Sequence, residues 1–251
     1  MIEVLLAGVF GLLIGSFLNV CIYRLPLDLS VVRPRSFCPA CNAQIAWYDN
    51  IPVLSYALLL GQCRRCQARI SARYPAVELV TGVVFSAAVA LNGPTLGALK
   101  ACVFGALLIA LTITDLETRI LPDELTYGGM LAGLGFAWGG VLDAIIAAVV
   151  SAGAMWLVAW IYKKLRHRDG LGFGDVKLIA MIGVFLGMQG VLLTILAGSL
   201  VGAVISIVYL LAMRKDAGSY ELPFGTFLGA AALAVSLFGR PVMDWYDAFL
   251  R

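Results

Sequence analysis

Two aspartates stand out as groups able to do chemistry in an otherwise apolar chain. Asp115 lies in Thr114-Asp115-Leu116, and Asp175 in Leu171-Gly172-Phe173-Gly174-Asp175-Val176-Lys177. Each sits at the edge of a long apolar run, and an acidic residue at the mouth of a membrane helix is costly unless something uses it. Peptide hydrolysis without a nucleophilic side chain needs one carboxylate to take a proton from water and one carboxylic acid to protonate the carbonyl oxygen. Two carboxyls held about 3 Å apart cannot both ionise, so they share one proton and divide those roles. Taken singly, either aspartate also fits a charge that marks a loop edge; taken together, they read as a catalytic pair. Gly172 and Gly174 leave room for a substrate strand or a partner helix to approach the backbone closely.

Other chemistries fit worse. The one histidine, His167, lies in the basic run from Lys163 to Arg168 and reads as a solvated surface residue, which disfavours a Ser-His-Asp triad or a histidine metalloprotease. Gly172-Phe173-Gly174 is too short for a dinucleotide fingerprint and follows no strand. No phosphate-binding lysine loop is present, and no nucleic-acid partner is expected. Asp123 and Glu124 follow Pro122, which fits the first turn of a helix, so favourable placement at the positive end of the helix dipole is the simpler reading for Asp123. Lys177 has two readings, lowering the pKa of a nearby carboxyl or snorkelling to the lipid headgroups, and snorkelling is the favoured one.

A second cluster holds four of the six cysteines. Cys38-Pro-Ala-Cys41 and Cys63-Arg-Arg-Cys66 are separated by 21 residues, close to the pattern of four-thiolate zinc sites. Each C-x-x-C turn presents two sulfurs to one tetrahedral ion, and four thiolates leave no open position, so the zinc is expected to be structural. Redox chemistry at one C-x-x-C is the competitor, but redox motifs rarely come as matched pairs. Metal binding would supply much of the folding energy of so small a loop. Its apolar middle, residues 51–60, is expected to lie along the membrane surface. Cys21 and Cys102 fall in apolar stretches and read as small buried hydrophobes.

These groups are positioned by membrane helices. Of 251 residues, 61% are hydrophobic and 13% are charged, with mean hydropathy +0.94, against about 25% charged in soluble proteins. The expected class is an all-α polytopic membrane protein of about eight transmembrane helices, near 2–23, 74–91, 96–114, 125–138, 142–162, 176–188, 191–213 and 223–238, with a small zinc-binding loop domain. The first segment is too long for a signal-peptide core and lacks a basic n-region, so it reads as a retained helix. The expected organisation is a first helix at 1–23, a four-cysteine module at 24–73 and a membrane domain of about seven helices at 74–251.

Basic residues set the orientation. Arg24, Arg33, Arg35, Arg64, Arg65, Arg69 and Arg73, then the run from Lys163, then Arg214-Lys215 alternate with nearly uncharged turns at Asn92-Gly93-Pro94, Gly139-Gly140 and Met188-Gln189-Gly190. With eight spans this places both termini outside the cytoplasm, and the cysteine module, Asp115 and Asp175 at its face. Small-residue spacings such as Gly128, Gly129, Gly133 and Gly183, Gly187 support helix packing.

With these motifs in order, the sequence resembles the bacterial prepilin peptidase family along nearly its whole length. The residues that carry the resemblance are Gly15-Ser16-Phe17-Leu18-Asn19-Val20-Cys21-Ile22-Tyr23-Arg24-Leu25-Pro26, the paired cysteines flanking Asp49-Asn50-Ile51-Pro52-Val53-Leu54-Ser55, Ile70 through Glu78, Asp115 with Leu121-Pro122-Asp123, and Gly172-Phe173-Gly174-Asp175. The last is similar to the G-x-G-D signature of intramembrane aspartic proteases. The resemblance implies a bacterial inner-membrane aspartic peptidase that removes the short leader from type IV prepilins and pseudopilins after a glycine, at the cytoplasmic face, with Asp115 and Asp175 as its catalytic pair. It further implies N-methylation of the new N-terminal residue from S-adenosylmethionine. No independent methyl-donor motif is visible; Glu78 is a weak candidate, and an ion pair with an interfacial arginine is an equally open reading. Two rivals from other classes remain, a proton- or ion-coupled transporter using both aspartates as a relay and a non-catalytic zinc-bearing scaffold of a secretion machine. Relays sit near the bilayer midplane, often between repeated halves; both aspartates are expected at one face, and no repeat is visible.

Overall fold

The computed structural model describes residues 1–167, 172–213 and 223–249. Arg168, Leu171, Arg214 and Lys215, which figure in the motifs above, lie outside the described residues. The elements are α1 (Ile2–Arg24), the short α2 (Leu54–Leu58), α3 (Arg73–Asn92), α4 (Leu96–Thr118), α5 (Asp123–Phe136), α6 (Val141–Arg166), α7 (Phe173–Met213) and α8 (Phe224–Phe249). No strand occurs among the described residues, as the unbroken apolar runs demand: in lipid only a helix satisfies its own backbone.

Among the described residues, six helices are long and apolar enough to cross a membrane: Ile2–Leu27, Arg73–Asn92, Leu96–Thr118, Val141–Arg166, Phe173–Tyr209 and Phe224–Val242. The eight expected segments are helical over nearly all their length, but one is short of a separate span. Residues 125–138 fall in α5, which at 14 residues is short of a full crossing. Residues 176–188 and 191–213 fall largely in the two helices that meet within Phe173–Met213, as expected, although Met188-Gln189-Gly190 is itself helical rather than a turn. The division falls instead at Gly187, where φ 69 and ψ −177 break the helix at a single residue; such a backbone is open to glycine and strained for other residues.

The chain divides into two compact units, residues 1–110 and 111–251, with the division inside α4. In the first, α1 packs along α3 through small residues. A methyl on Gly11 would meet Gly82 Cα at 2.8 Å, and one on Gly15 would meet Glu78 Cα at 2.6 Å, so the two backbones touch. Cys21 and Cys102 are buried with free thiols. In the second unit α7 is the shared wall, packing against α5, α6 and α8. Gly183 abuts the α6 backbone at Ala147 and Ala148, and Gly133 of α5 abuts Val184 and Phe185. Gly128 and Gly187 meet nothing within 4 Å, so neither serves the packing expected of it.

Candidate active site

Asp115 closes α4 and Asp175 opens α7, so each aspartate stands on a helix end rather than in a loop. Both are buried, at 5% and 9% exposure, beside fully buried Thr114. The third wall of the site is the first turn of α8. The leading N–H groups of a helix have no partner within it, and Thr226 spends its N–H on Asp115: the backbone N–H donates to Oδ2 at 2.6 Å and the Thr226 hydroxyl to the same oxygen at 2.8 Å. Both bonds hold one carboxylate oxygen of Asp115 and leave the other without a bond from Thr226.

Gly225 fixes the spacing. A methyl placed on it would lie 3.0 Å from Asp115 Oδ2 and 3.0 Å from Asp175 Oδ1. Two oxygens equally close to one point are separated by at most twice that distance, which is room for a shared proton or one intervening water. Asp175 is set by a turn in which its N–H donates to Gly172 O at 3.1 Å. At Gly174 a side chain would meet Leu121 at 3.2 Å, so the α4–α5 connection presses directly on the first turn of α7. The glycines therefore serve close approach.

Lys177 pairs with a carboxylate other than the two aspartates of the site. It forms an ion pair with Asp123 across 54 residues of sequence and lies 5.6 Å from the ring centres of Tyr127 and Phe173, with 13% of its side chain exposed. The first turn of α5 offers Lys177 both a carboxylate and an aromatic face. Asp123 opens α5, as expected, and holds Lys177 there as well. Gly225 and Thr226 are absent from the sequence reasoning; their signal, a Gly-Thr pair opening the last apolar run, is faint.

The four cysteines come together in the first unit. Their sulfurs lie within 4.8 Å of one another, and Cys38 Sγ and Cys66 Sγ are 3.8 Å apart. A tetrahedron with Zn–S bonds of about 2.3 Å has edges of about 3.8 Å, so the residues present fit a zinc ion. The two knuckles match: Cys38 N–H donates to Ala43 O and Cys63 N–H to Ala68 O, each at 2.9 Å. The N–H groups of Cys66 and Arg65 stabilise the Cys63 thiolate and bring its pKa down to about 7. Arg64 grips Asp49 with bonds of 2.6 to 3.1 Å and holds that carboxyl below its usual range, tying the second knuckle to the segment before α2.

Glu78 is on α3 of the first unit. It is buried, at 8% exposure. Its Oε2 accepts the Val53 N–H at 2.7 Å, and the Ser16 hydroxyl bonds to the same carboxyl group.

Residues 9–92 match the family model described as the bacterial peptidase A24 N-terminal domain, and residues 102–207 match that of the type IV leader peptidase family. A prepilin leader peptidase/N-methyltransferase of Aeromonas hydrophila is 38% identical over 269 residues, covering 96% of this chain and 92% of the relative. The chain belongs to the type IV leader peptidase family. Similarly named proteins of Burkholderia pseudomallei (strain 1026b) and Myxococcus xanthus (strain DK1622) are 36% and 44% identical, over 94% and 82% of this chain and 85% and 63% of their own lengths. No solved structure matches. The four clustered cysteines and Glu78 fall within the N-terminal-domain match and both aspartates within the leader-peptidase match, whereas Gly225 and Thr226 lie beyond either.

Proposed function

We propose that the protein is an aspartic leader peptidase of a bacterial inner membrane that removes the short leader of type IV prepilins and pseudopilins after glycine, at the cytoplasmic face, and then N-methylates the exposed residue. The observation that carries the peptidase reading is the convergence of two buried carboxyl groups, from α4 and α7, on one point of α8. Thr226 holds Asp115 Oδ2 in place. In this reading one carboxylate takes a proton from water while the other, protonated, donates to the scissile carbonyl, and the shared proton moves between them as the amide breaks. Burial excludes bulk water and makes each of these interactions stronger than it is in solution. Lys177 and Asp123 act at a distance, anchoring α5 to α7.

The prepilin's own apolar helix enters from the bilayer, leaving the leader junction at the membrane edge. We assign residues 1–23 to the first membrane helix, 24–73 to a zinc-ordered module and 74–251 to the peptidase domain. Leu54, Leu58 and Leu60, all more than half exposed, suit a module that rests on the membrane surface. The methyltransferase of the relatives' names uses S-adenosylmethionine as donor, and we extend that activity to this chain. A relay for ions finds no support in two carboxyls that stand at helix ends.

The test is to incubate membranes containing the protein with a prepilin and donor and to weigh the product. Leader-free pilin one methyl group heavier supports both activities. Uncut prepilin contradicts the peptidase, and cut but unmethylated pilin contradicts only the second activity.

A further inference from the structure

The end of α1 carries a buried cation that meets no carboxylate among the described residues. Arg24 is 5% exposed. Its Nη1 donates to Ser30 O at 2.9 Å, its Nη2 reaches Arg35 O at 3.5 Å, and its guanidinium lies 5.8 Å from the centre of the Phe37 ring. Two neutral carbonyls and a ring face orient a cation without neutralising it. An arginine so deeply placed is rare unless an anion pairs with it. Glu78, the buried carboxyl of the same unit, is engaged elsewhere, by the Val53 N–H and the Ser16 hydroxyl.

Arg24 borders a cavity of about 390 Å³, within the range of about 300–1,000 Å³ usual for ligand sites. Exposed Arg35 brings a second guanidinium to the same cavity, and no acidic residue lines it among the described residues. Two like charges on one cavity call for an anion, and a wall without a carboxylate offers nothing to an ammonium group.

The rest of the wall says which anion. Leu13, Phe17 and Val20 line the cavity from α1, a helix long and apolar enough to cross a membrane. Leu13 and Phe17 are 53% and 50% exposed, so this wall is open to lipid. From Leu13 to Arg24 the helix rises about 16 Å, at about 1.5 Å per residue, close to half of a hydrocarbon core roughly 30 Å thick. Trp47, at the polar end of the lining, is of the residue type that settles at headgroup level. We propose that this cavity binds one anionic phospholipid, with its phosphate against Arg24 and Arg35 and its acyl chains along Leu13, Phe17 and Val20. Basic recesses at the ends of membrane helices hold such headgroups. A free phosphate would satisfy the guanidiniums but leave the apolar wall uncovered. The proposal goes beyond the leader-peptidase reading and needs only that α1 spans a membrane.

The site also joins two parts of the first unit. Ile45 N–H donates to Ser36 O at 2.8 Å, so Arg35 stands at the neck of the first cysteine knuckle. A phosphate gripped by Arg24 of α1 and by Arg35 of that neck fastens the cysteine module to its membrane helix.

The test titrates the full-length protein, stripped of lipid in detergent micelles, and counts bound molecules by native mass spectrometry. The probes are phosphatidylglycerol, zwitterionic phosphatidylethanolamine and inorganic phosphate, with zinc content as the check on folding. One phosphatidylglycerol should bind, at least tenfold more tightly than phosphatidylethanolamine. Arg35→Gln should weaken it roughly tenfold or more, the scale of losing one charge-assisted contact, and Arg35→Lys should recover part of the loss. Arg69→Gln, at an exposed arginine of the module outside the cavity, should leave binding unchanged. Equal affinity for the two lipids overturns the proposal, as does wild-type affinity in Arg35→Gln or an equal loss in Arg69→Gln. Inorganic phosphate binding as tightly as phosphatidylglycerol overturns the lipid assignment and leaves a phosphate site. Should Arg35→Gln lose its zinc, a photoreactive phosphatidylglycerol decides on the wild-type protein. Its cross-links should fall on residues 13–24 and 31–52, and cross-links confined to other segments overturn the site.

Discussion

Gly225→Ala is the most informative single-atom perturbation of the site. The added methyl would stand 3.0 Å from Asp115 Oδ2, 3.0 Å from Asp175 Oδ1 and 3.1 Å from Asp115 Cγ, where ordinary contact begins at 3.4 Å. Each carboxyl must therefore retreat by about 0.4 Å, and neither can be spared because the overlap is symmetrical. Asp115 retreats against its two bonds to Thr226. A misplacement of about 1 Å costs on the order of 10²-fold in rate, so a retreat of this size predicts a kcat for leader removal roughly 10- to 100-fold below wild type, about 1.4–2.7 kcal/mol of barrier. The assay is single-turnover cleavage of a purified prepilin, with methylation of a leader-free peptide as the control for folding. Gly225→Val should fall further. Cleavage by Gly225→Ala at the wild-type rate would refute the arrangement of the carboxyls around α8.

Thr226→Val keeps the backbone bond and removes the hydroxyl bond to Asp115. It should slow cleavage by roughly 10-fold, the worth of one hydrogen bond to a carboxylate, with Thr226→Ser restoring most of the rate; a merely structural methyl would give the opposite ranking. Cys38→Ser, or treatment with a strong chelator, should remove zinc measured by atomic absorption and make residues 24–73 protease-sensitive, because a structural site supplies on the order of 10 kcal/mol of the folding energy of its loop. Glu78→Ala should lower methylation while leaving leader removal near wild type, since Glu78 holds the Val53 turn of the first unit and both aspartates belong to the second; equal loss of both activities would count against this separation.

The residues with chemistry were legible because their types are scarce. In a chain with 13% charged residues, a carboxylate at a helix mouth or four matched thiols cannot be placed without consequence, and hydropathy alone locates the helices that carry them. What hydropathy does not locate to the residue is the break between two helices: Met188-Gln189-Gly190 reads as a turn, yet one residue earlier Gly187 makes the break and the second helix begins at once. Short α5 likewise reads as a span because its composition, not its length, matches one. The unread part of the site is tertiary. Thr226 reaches Asp115 across 111 residues, and Lys177 reaches Asp123 across 54; neither pairing has any local pattern. Glu78 stands out only as a weak methyltransferase candidate after the cysteine module; its partners, a backbone N–H and a serine hydroxyl, are visible only once α1 and α3 are packed.

The central claim is that two carboxyls, each useless alone, cut the leader. Its most direct test is to measure leader removal from a prepilin by membranes holding Asp115→Asn or Asp175→Asn, each of nearly wild-type shape and each checked for methylation of a leader-free peptide. The account predicts no detectable cleavage by either variant with methylation preserved in both. Cleavage by either one at a rate near wild type would contradict it.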